Sequence, residues 1–313
     1  MKITACVLLL SCCAISAMAQ ESQTGYNFLR LPVGAHNAAV GGDNISLVED
    51  DEALIFSNPA LLSNVSDKTV GLNYMRYGGI NMGSAAFNRN VGEHASWAVS
   101  AQYMDYGTMK EADENNNLTG TFTAKDIALA GYFAYMLTEK LAGGIATKFI
   151  MSYIGSYHST AMGVDLGLNY YDDNDWSVSL VAKNLGGQLK AYDESFEKMP
   201  LDVQLGASKR LTNTPFRFSA TLVDINHWNY KFIDHLTAGV DVNLSESIWI
   251  GLGYNFRRAH EMSITDTSGN ESSHGAGFSM GAGLNLERFK LNLAYGTYHV
   301  SNHSIIINIA YSL

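Results

Sequence analysis

The chain is short of cysteine, of basic residues and of long apolar runs. Its three cysteines, Cys6, Cys12 and Cys13, all stand near the start of a 313-residue sequence. Beyond them neither a disulfide framework nor a thiolate metal site can be built. Lys and Arg number 20 against 30 Asp and Glu, a formal net charge of −10. Nucleic acid, whose phosphates call for basic patches, is therefore not an expected partner. Past the leader described next, no apolar run approaches the eighteen or so residues that a membrane helix needs. A soluble all-β sandwich and a membrane β-barrel both survive these exclusions.

The first residues read as an export signal. Lys2 supplies a positive start, Ile3 to Ile15 an apolar stretch, and Ala17-Met18-Ala19 a small-residue cleavage site before Gln20. A membrane anchor fits less well, because the run is short and no stop-transfer flank follows. A lipoprotein signal at Leu9-Leu10-Ser11-Cys12 would leave a very short apolar region. The expected organisation is a signal peptide over 1–19, an N-terminal segment over 20–67 and a barrel over 68–313.

From Lys68 onward one pattern recurs about fourteen times, apolar residues alternating with small or polar ones. In the stretch from Met162 to Tyr170, Met162, Val164, Leu166, Leu168 and Tyr170 share one face of a strand. Gly163, Asp165, Gly167 and Asn169 share the other. Strands are expected at 68–77, 82–91, 94–104, 122–137, 139–152, 159–171, 175–185, 201–211, 215–226, 235–244, 247–257, 275–286, 289–298 and 303–313. Tight connections such as Gly92-Glu93 and Glu287-Arg288 alternate with longer ones, notably 105–121, 186–200, 227–234 and 258–274. Short periplasmic turns and long surface loops are what a chain weaving across an outer membrane produces, and a sandwich has no reason to sort them.

The two faces agree with a barrel. The polar face is rich in Gly, Ser and Asn and poor in the Lys and Glu of a solvated surface, as in Thr237, Gly239, Asp241 and Asn243. Aromatics gather near strand ends, among them Tyr74, Trp97, Tyr103, Trp176, Phe216 and Tyr295, where girdles form. The chain ends on an amphipathic strand with Ile305, Ile307, Ile309, Tyr311 and Leu313 on its apolar side. The fold class expected is an all-β, transmembrane antiparallel β-barrel of about fourteen strands, in contact with outer-membrane lipid.

The N-terminal segment reads Phe28-Leu29-Arg30-Leu31-Pro32-Val33-Gly34-Ala35, then Gly41-Gly42-Asp43-Asn44-Ile45-Ser46, Asp50-Asp51, and Asn58-Pro59-Ala60-Leu61-Leu62. The Asn-Pro-Ala element ahead of a fourteen-stranded wall resembles the FadL-like barrels, whose N-terminus plugs the lumen. The whole combination resembles the PorV/PorQ family of the Bacteroidetes type IX secretion system, nearest its PorQ members, and covers the mature chain. That resemblance implies an outer-membrane location and a plug carried by Gly41, Gly42, Asn44, Asp50, Asp51, Asn58, Pro59 and Ala60. It further implies a non-enzymatic role, holding a PorZ-like surface protein of the machinery that attaches secreted cargo.

On the residues themselves, Pro59 fixes its own φ and biases Asn58 toward extended backbone, setting a turn; an ordinary helix start reads equally well. Asp50 and Asp51 are either a solvated acidic loop or partners of an interior Arg or Lys, such as Arg217, Lys183 or Lys148. Chemistry is not indicated, and no cofactor is expected. His299 and His303 bracket a hairpin rather than share a helix face, and Asp172 to Asp175 lack the Ca²⁺-loop register. Gly275 to Gly283 lack a phosphate-binding spacing, and no GxSxG elbow occurs. The expected function is partner docking through surface loops, and the alternative is a channel for a hydrophobic small molecule.

Overall fold

The computed structural model describes residues 24–313 except 114, 116, 229, 263, 266–270, 273, 274, 300 and 301. The expected leader and its cleavage site lie outside the described residues. Fourteen strands close one antiparallel barrel. The first seven are β1 (Thr69–Tyr77), β2 (Ile80–Val91), β3 (Ala95–Ala112), β4 (Leu118–Thr138), β5 (Leu141–Ile154), β6 (Tyr157–Tyr171) and β7 (Trp176–Lys190). Next come β8 (Asp202–Arg210), β9 (Phe216–Leu222), β10 (Leu236–Asn243) and β11 (Ile248–Asn255). The small pair β12 (Ile264–Thr265) and β13 (Glu271–Ser272) stands apart, before β14 (Phe278–Leu286), β15 (Phe289–His299) and β16 (Asn302–Ser312). Each barrel strand pairs with its neighbours in sequence, and β1 closes on β16 with Thr69 opposite Ser312.

The burial is inverted relative to a water-soluble protein. In β6 the apolar Met162, Leu166, Leu168 and Tyr170 are exposed, while Gly163, Asp165, Gly167 and Asn169 are buried. The same holds around the wall, where Val99, Phe133, Leu180, Leu205, Ile250 and Leu293 face outward. A continuous apolar outer surface of this extent needs lipid around it. No helix among the described residues is long and apolar enough to cross a membrane; the crossing is made by strands. The tight turns and both barrel ends lie together, with Leu313 donating to the Lys68 carbonyl at 3.1 Å. In outer-membrane barrels the end with the short turns is the periplasmic one.

All fourteen expected strands are present, and the departures have physical causes. β3 and β4 run to Ala112 and back from Leu118, so most of the expected loop 105–121 is paired hairpin. Above the membrane both faces of that hairpin are wet, so the alternation vanishes while the pairing continues. β7 likewise continues to Lys190 past a bulge at Asn184, whose φ is 59°. β9 stops at Leu222 rather than 226. β11 gives way at Asn255, whose side chain caps a short helix (Phe256–Glu261) by accepting from the Arg258 amide at 2.9 Å.

Residues 24–67 run through the barrel. A one-turn helix, α1 (Ala35–Ala39), lies against β11, β14, β15 and β16. A 3₁₀ turn at Glu52–Phe56 meets β1 and β2, and another at Pro59–Asn64 meets β3 to β6 on the far side. Ile45, Leu47, Leu54, Ile55, Leu61 and Leu62 are completely buried. Each such side chain contributes on the order of 1.5–3 kcal/mol relative to exposure. The helix Phe256–Glu261 is α2 below.

Candidate functional site

The polar inner face is cut to fit the N-terminal segment. A Cβ on Gly239 would fall 2.6 Å from the Val40 Cβ, and one on Gly281 2.7 Å from the Ala39 Cβ. On the opposite wall, a Cβ on Gly144 or Gly167 would strike the backbone of Pro59 and Ala60 or the side chain of Asn58. Gly144, Gly167, Gly239 and Gly281 are therefore places where the segment presses on the wall.

The motif residues take distinct places along it. Gly41 and Gly42 reverse the chain after α1 with φ of 110° and 97°, which a side chain disfavours. The Gly41 amide donates to the Ser279 hydroxyl at 3.1 Å, and the same hydroxyl donates to the Ala39 carbonyl. The Asn44 amide donates to Asn37 Oδ1 at 2.8 Å, and Asn44 Oδ1 accepts from the Ser46 amide at 2.9 Å. Asn58 is extended, as a residue before proline should be, and its Oδ1 caps the next turn by accepting from the Ala60 amide at 2.9 Å. Its Nδ2 donates to the Ile45 carbonyl at 3.1 Å and to the Leu168 carbonyl of β6 at 3.4 Å. Pro59 opens that turn, where a missing N–H costs nothing. The structure brings Asn58, Pro59 and Ala60 together at the β5–β6 wall, links Asn44 to them through Asn37 and Ile45, and places Gly41 and Gly42 against β10, β14 and β15.

Asp50 does pair with an interior cation, Lys290 of β15 at 2.6 Å, rather than with Arg217, Lys183 or Lys148. Asp51 caps the 3₁₀ turn, accepting from the Ala53 amide at 3.0 Å. Lys148 is taken by Asp165 at 2.6 Å. Arg217 is taken by Asp241 at 2.8 Å and by Glu49 at 2.5 Å, while Arg210 also reaches Glu49 at 3.0 Å. Strand register decides these choices, because Arg217 stands directly opposite Asp241. Glu49 was not singled out from the sequence; its only signal there is adjacency to Asp50 and Asp51.

Electrostatics differ along the same run. Burial opposes the Asp50 charge, but bonds from Lys290 and Ser66 outweigh it and hold the carboxyl below its ordinary value. Burial, reinforced by Asp51, pushes Glu52 up; its Oε1 accepts from Asn308 at 3.1 Å. His36, stacked 3.7 Å from Trp249, is kept neutral by burial and by Arg217.

At the outer end a cavity of about 940 Å³ opens between the start of the segment, the tall β3–β4 hairpin, β5 and the 192–198 loop. Its apolar lining comes from Met109, Phe122, Ile154 and Phe196, with the rings of Tyr26, Tyr106, Tyr153 and Tyr192. Thr24, Asn27, Glu197 and Lys198 add polar groups, and a further polar cluster surrounds Asp126. Tyr106 donates to Asp126 Oδ2 at 2.6 Å, Ser152 donates to Asp126 Oδ1, and Tyr192 donates to Ser152 at 2.5 Å. Thr24 bridges to Lys198, and the Gly25 amide donates to the Lys198 carbonyl at 3.0 Å, so the segment forms one cavity wall. Sequence reading found no such pocket, since its lining is drawn from four stretches far apart in the chain. Among the described residues no three His, Cys, Asp or Glu side chains are grouped to hold a metal ion.

No family model and no curated protein sequence matches the chain. Solved structures do match. The Pseudomonas putida toluene transporter TodX aligns over 91% of this chain and 99% of its own, with a TM-score of 0.61 and 12% identity. The Ralstonia pickettii toluene transporter TbuX aligns over 91% and 98%, with a TM-score of 0.57 and 14% identity. A FadL homologue of Pseudomonas aeruginosa aligns over 90% and 98%, with a TM-score of 0.58 and 10% identity. The chain has the fold of the FadL-like outer-membrane barrels.

Proposed function

We propose that the protein is an outer-membrane barrel that takes up a hydrophobic small molecule at its outer cavity, with the N-terminal segment as the plug below it. The observation that carries this reading is the cavity itself, apolar and ring-lined, with the head of the segment as one wall. The toluene transporters of like fold lend it support. The test is a calorimetric titration of the detergent-solubilised protein with toluene. Saturable binding that is weakened at least tenfold in Phe122→Asp is expected; heat of dilution alone would sink the reading.

A second reading is favoured by the β3–β4 hairpin and by the sequence resemblance. Beyond the Asn81–Asp105 and Ala124–Ile154 pairs the hairpin stands clear of both neighbouring strands, offering a rigid arm above the membrane. Such an arm suits docking of a PorZ-like surface protein of a type IX secretion machinery, with the filled barrel as its anchor. A deletion strain separates the two. Lost uptake of a hydrophobic nutrient with intact cargo attachment supports the channel. The reverse, with a surface protein co-purifying on the barrel and lost on trimming residues 108–121, supports docking.

A further inference from the structure

The wall is uneven in height. β3 and β4 have 18 and 21 residues, whereas β9 has 7 and β10 has 8. At the usual rise and tilt a seven-residue strand climbs roughly 18 Å, short of the apolar band of about 25 Å that an outer membrane requires. The shortfall falls at the outer end of β9, where the chain enters the loop to β10.

That loop carries Trp228, Phe232 and Ile233, exposed at 57%, 61% and 42%. The rings of Trp228 and Phe232 lie nearly parallel, 8° apart with centroids at 6.4 Å. None of the three lines the outer cavity. The patch has a firm base. His235, fully buried, sits 4.7 Å from the Trp228 ring, and its Nδ1 is bonded to the Val223 carbonyl at 2.8 Å. Arg257 of α2 lies 4.8 Å over the Tyr230 ring and is anchored on Asp224 at 2.6 Å. A loop tip meant for water has no reason to hold three large apolar side chains outward on a built support.

We propose that Trp228, Phe232 and Ile233 lie in the outer leaflet, extending the lipid-facing belt of the barrel where β9 and β10 are too short to span it. The occupant of this patch is lipid. Two observations select it: the loop directly follows β9, whose Phe216, Phe218 and Ala220 belong to the exposed outer face, and exposed Lys231 stands between Tyr230 and Phe232, a ring-and-cation pairing suited to the headgroup layer. The loop is then covered by membrane, and it is not a surface on which a protein partner docks.

Tryptophan emission tests the placement. The full chain carrying Trp97→Phe and Trp176→Phe, both on the exposed outer face, retains Trp228 and the buried Trp249. It is reconstituted in phosphatidylcholine vesicles whose acyl chains are brominated near the headgroup, and in unbrominated ones. Bromine should remove about half of the emission, iodide added to the water should remove little, and the bromine effect should vanish when Trp228→Phe is added. Emission indifferent to bromine but quenched by iodide would put the loop in water and overturn the proposal. The bromine and iodide arms decide the matter on the chain that keeps Trp228, even where the triple variant fails to refold.

Discussion

Gly144 of β5 and Ala60 of the N-terminal segment meet through bare backbone: a Cβ on Gly144 would come inside 3.0 Å of the Ala60 amide nitrogen. The obstacle is main chain on both sides, so neither partner can swing away. Gly144→Ala should therefore destabilise the barrel by about 1–3 kcal/mol, as overpacked sites do. Gly131→Ala, where a Cβ meets nothing within 4 Å, should be close to neutral. Urea titration of the vesicle-inserted protein measures the difference. Equal midpoints for the two variants would contradict the fit between wall and segment.

Arg217 stands between Asp241, whose side chain is fully buried, and Glu49, which is a quarter exposed. Removing the cation strands a buried carboxylate, which costs roughly 3–5 kcal/mol. Glu49→Gln leaves the Arg217–Asp241 pair intact and should cost much less. The order Arg217→Ala below Glu49→Gln below wild type is expected in thermal unfolding followed by gel mobility. A reversed order would show that Glu49 is the main anchor.

Asn58 both caps the turn that follows it and reaches the wall at the Leu168 carbonyl. Asn58→Asp keeps the cap and loses both Nδ2 donations, whereas Asn58→Ala loses everything. The cap alone is worth about 1 kcal/mol. At neutral pH the aspartate variant should nevertheless fall below the alanine variant in denaturation midpoint, because its buried carboxylate would face the Ile45 and Leu168 carbonyls at a cost larger than the cap returns; an aspartate variant above the alanine one would show that the cap dominates.

Glu52 titrates above its ordinary 4.5 because burial, with Asp51 beside it, disfavours the charge. A carboxyl raised in the folded state binds more protons folded than unfolded through that window. Its contribution is complete below pH 4.5 and is lost as pH rises through the folded value. Glu52→Gln should flatten this alkaline loss of stability. Asp50, lowered by Lys290 and Ser66, has the opposite sign, so Asp50→Asn should flatten a loss on the acid side. Unfolding midpoints measured across pH 2 to 9 in each variant check both signs, and parallel curves would refute them.

The wall was legible because lipid outside and a packed interior inside impose opposite demands on alternate residues, as in Met162 to Tyr170. Where the demand lapses, so does the legibility: the upper β3–β4 hairpin has water on both faces and reads as loop. The turn at Asn58 and Pro59 was readable from backbone rules alone. The partners of Asp50, Arg217 and Lys148 were not, since each depends on which side chains the strand register sets opposite. Nor was the outer cavity, whose lining joins Tyr26, Phe122, Tyr153 and Phe196 from separate parts of the chain.

The glycines facing the segment have one more consequence, which concerns how this sequence can change over time. Positions 144 and 60, 239 and 40, and 281 and 39 are not free to vary singly, because each pair divides one fixed gap between two backbones. Among related sequences a larger residue on the wall should appear only together with a smaller or displaced residue at its partner. The barrel interior and the segment it encloses would then carry a shared record of substitutions, while the lipid-facing side of the same strands drifts freely among apolar residues.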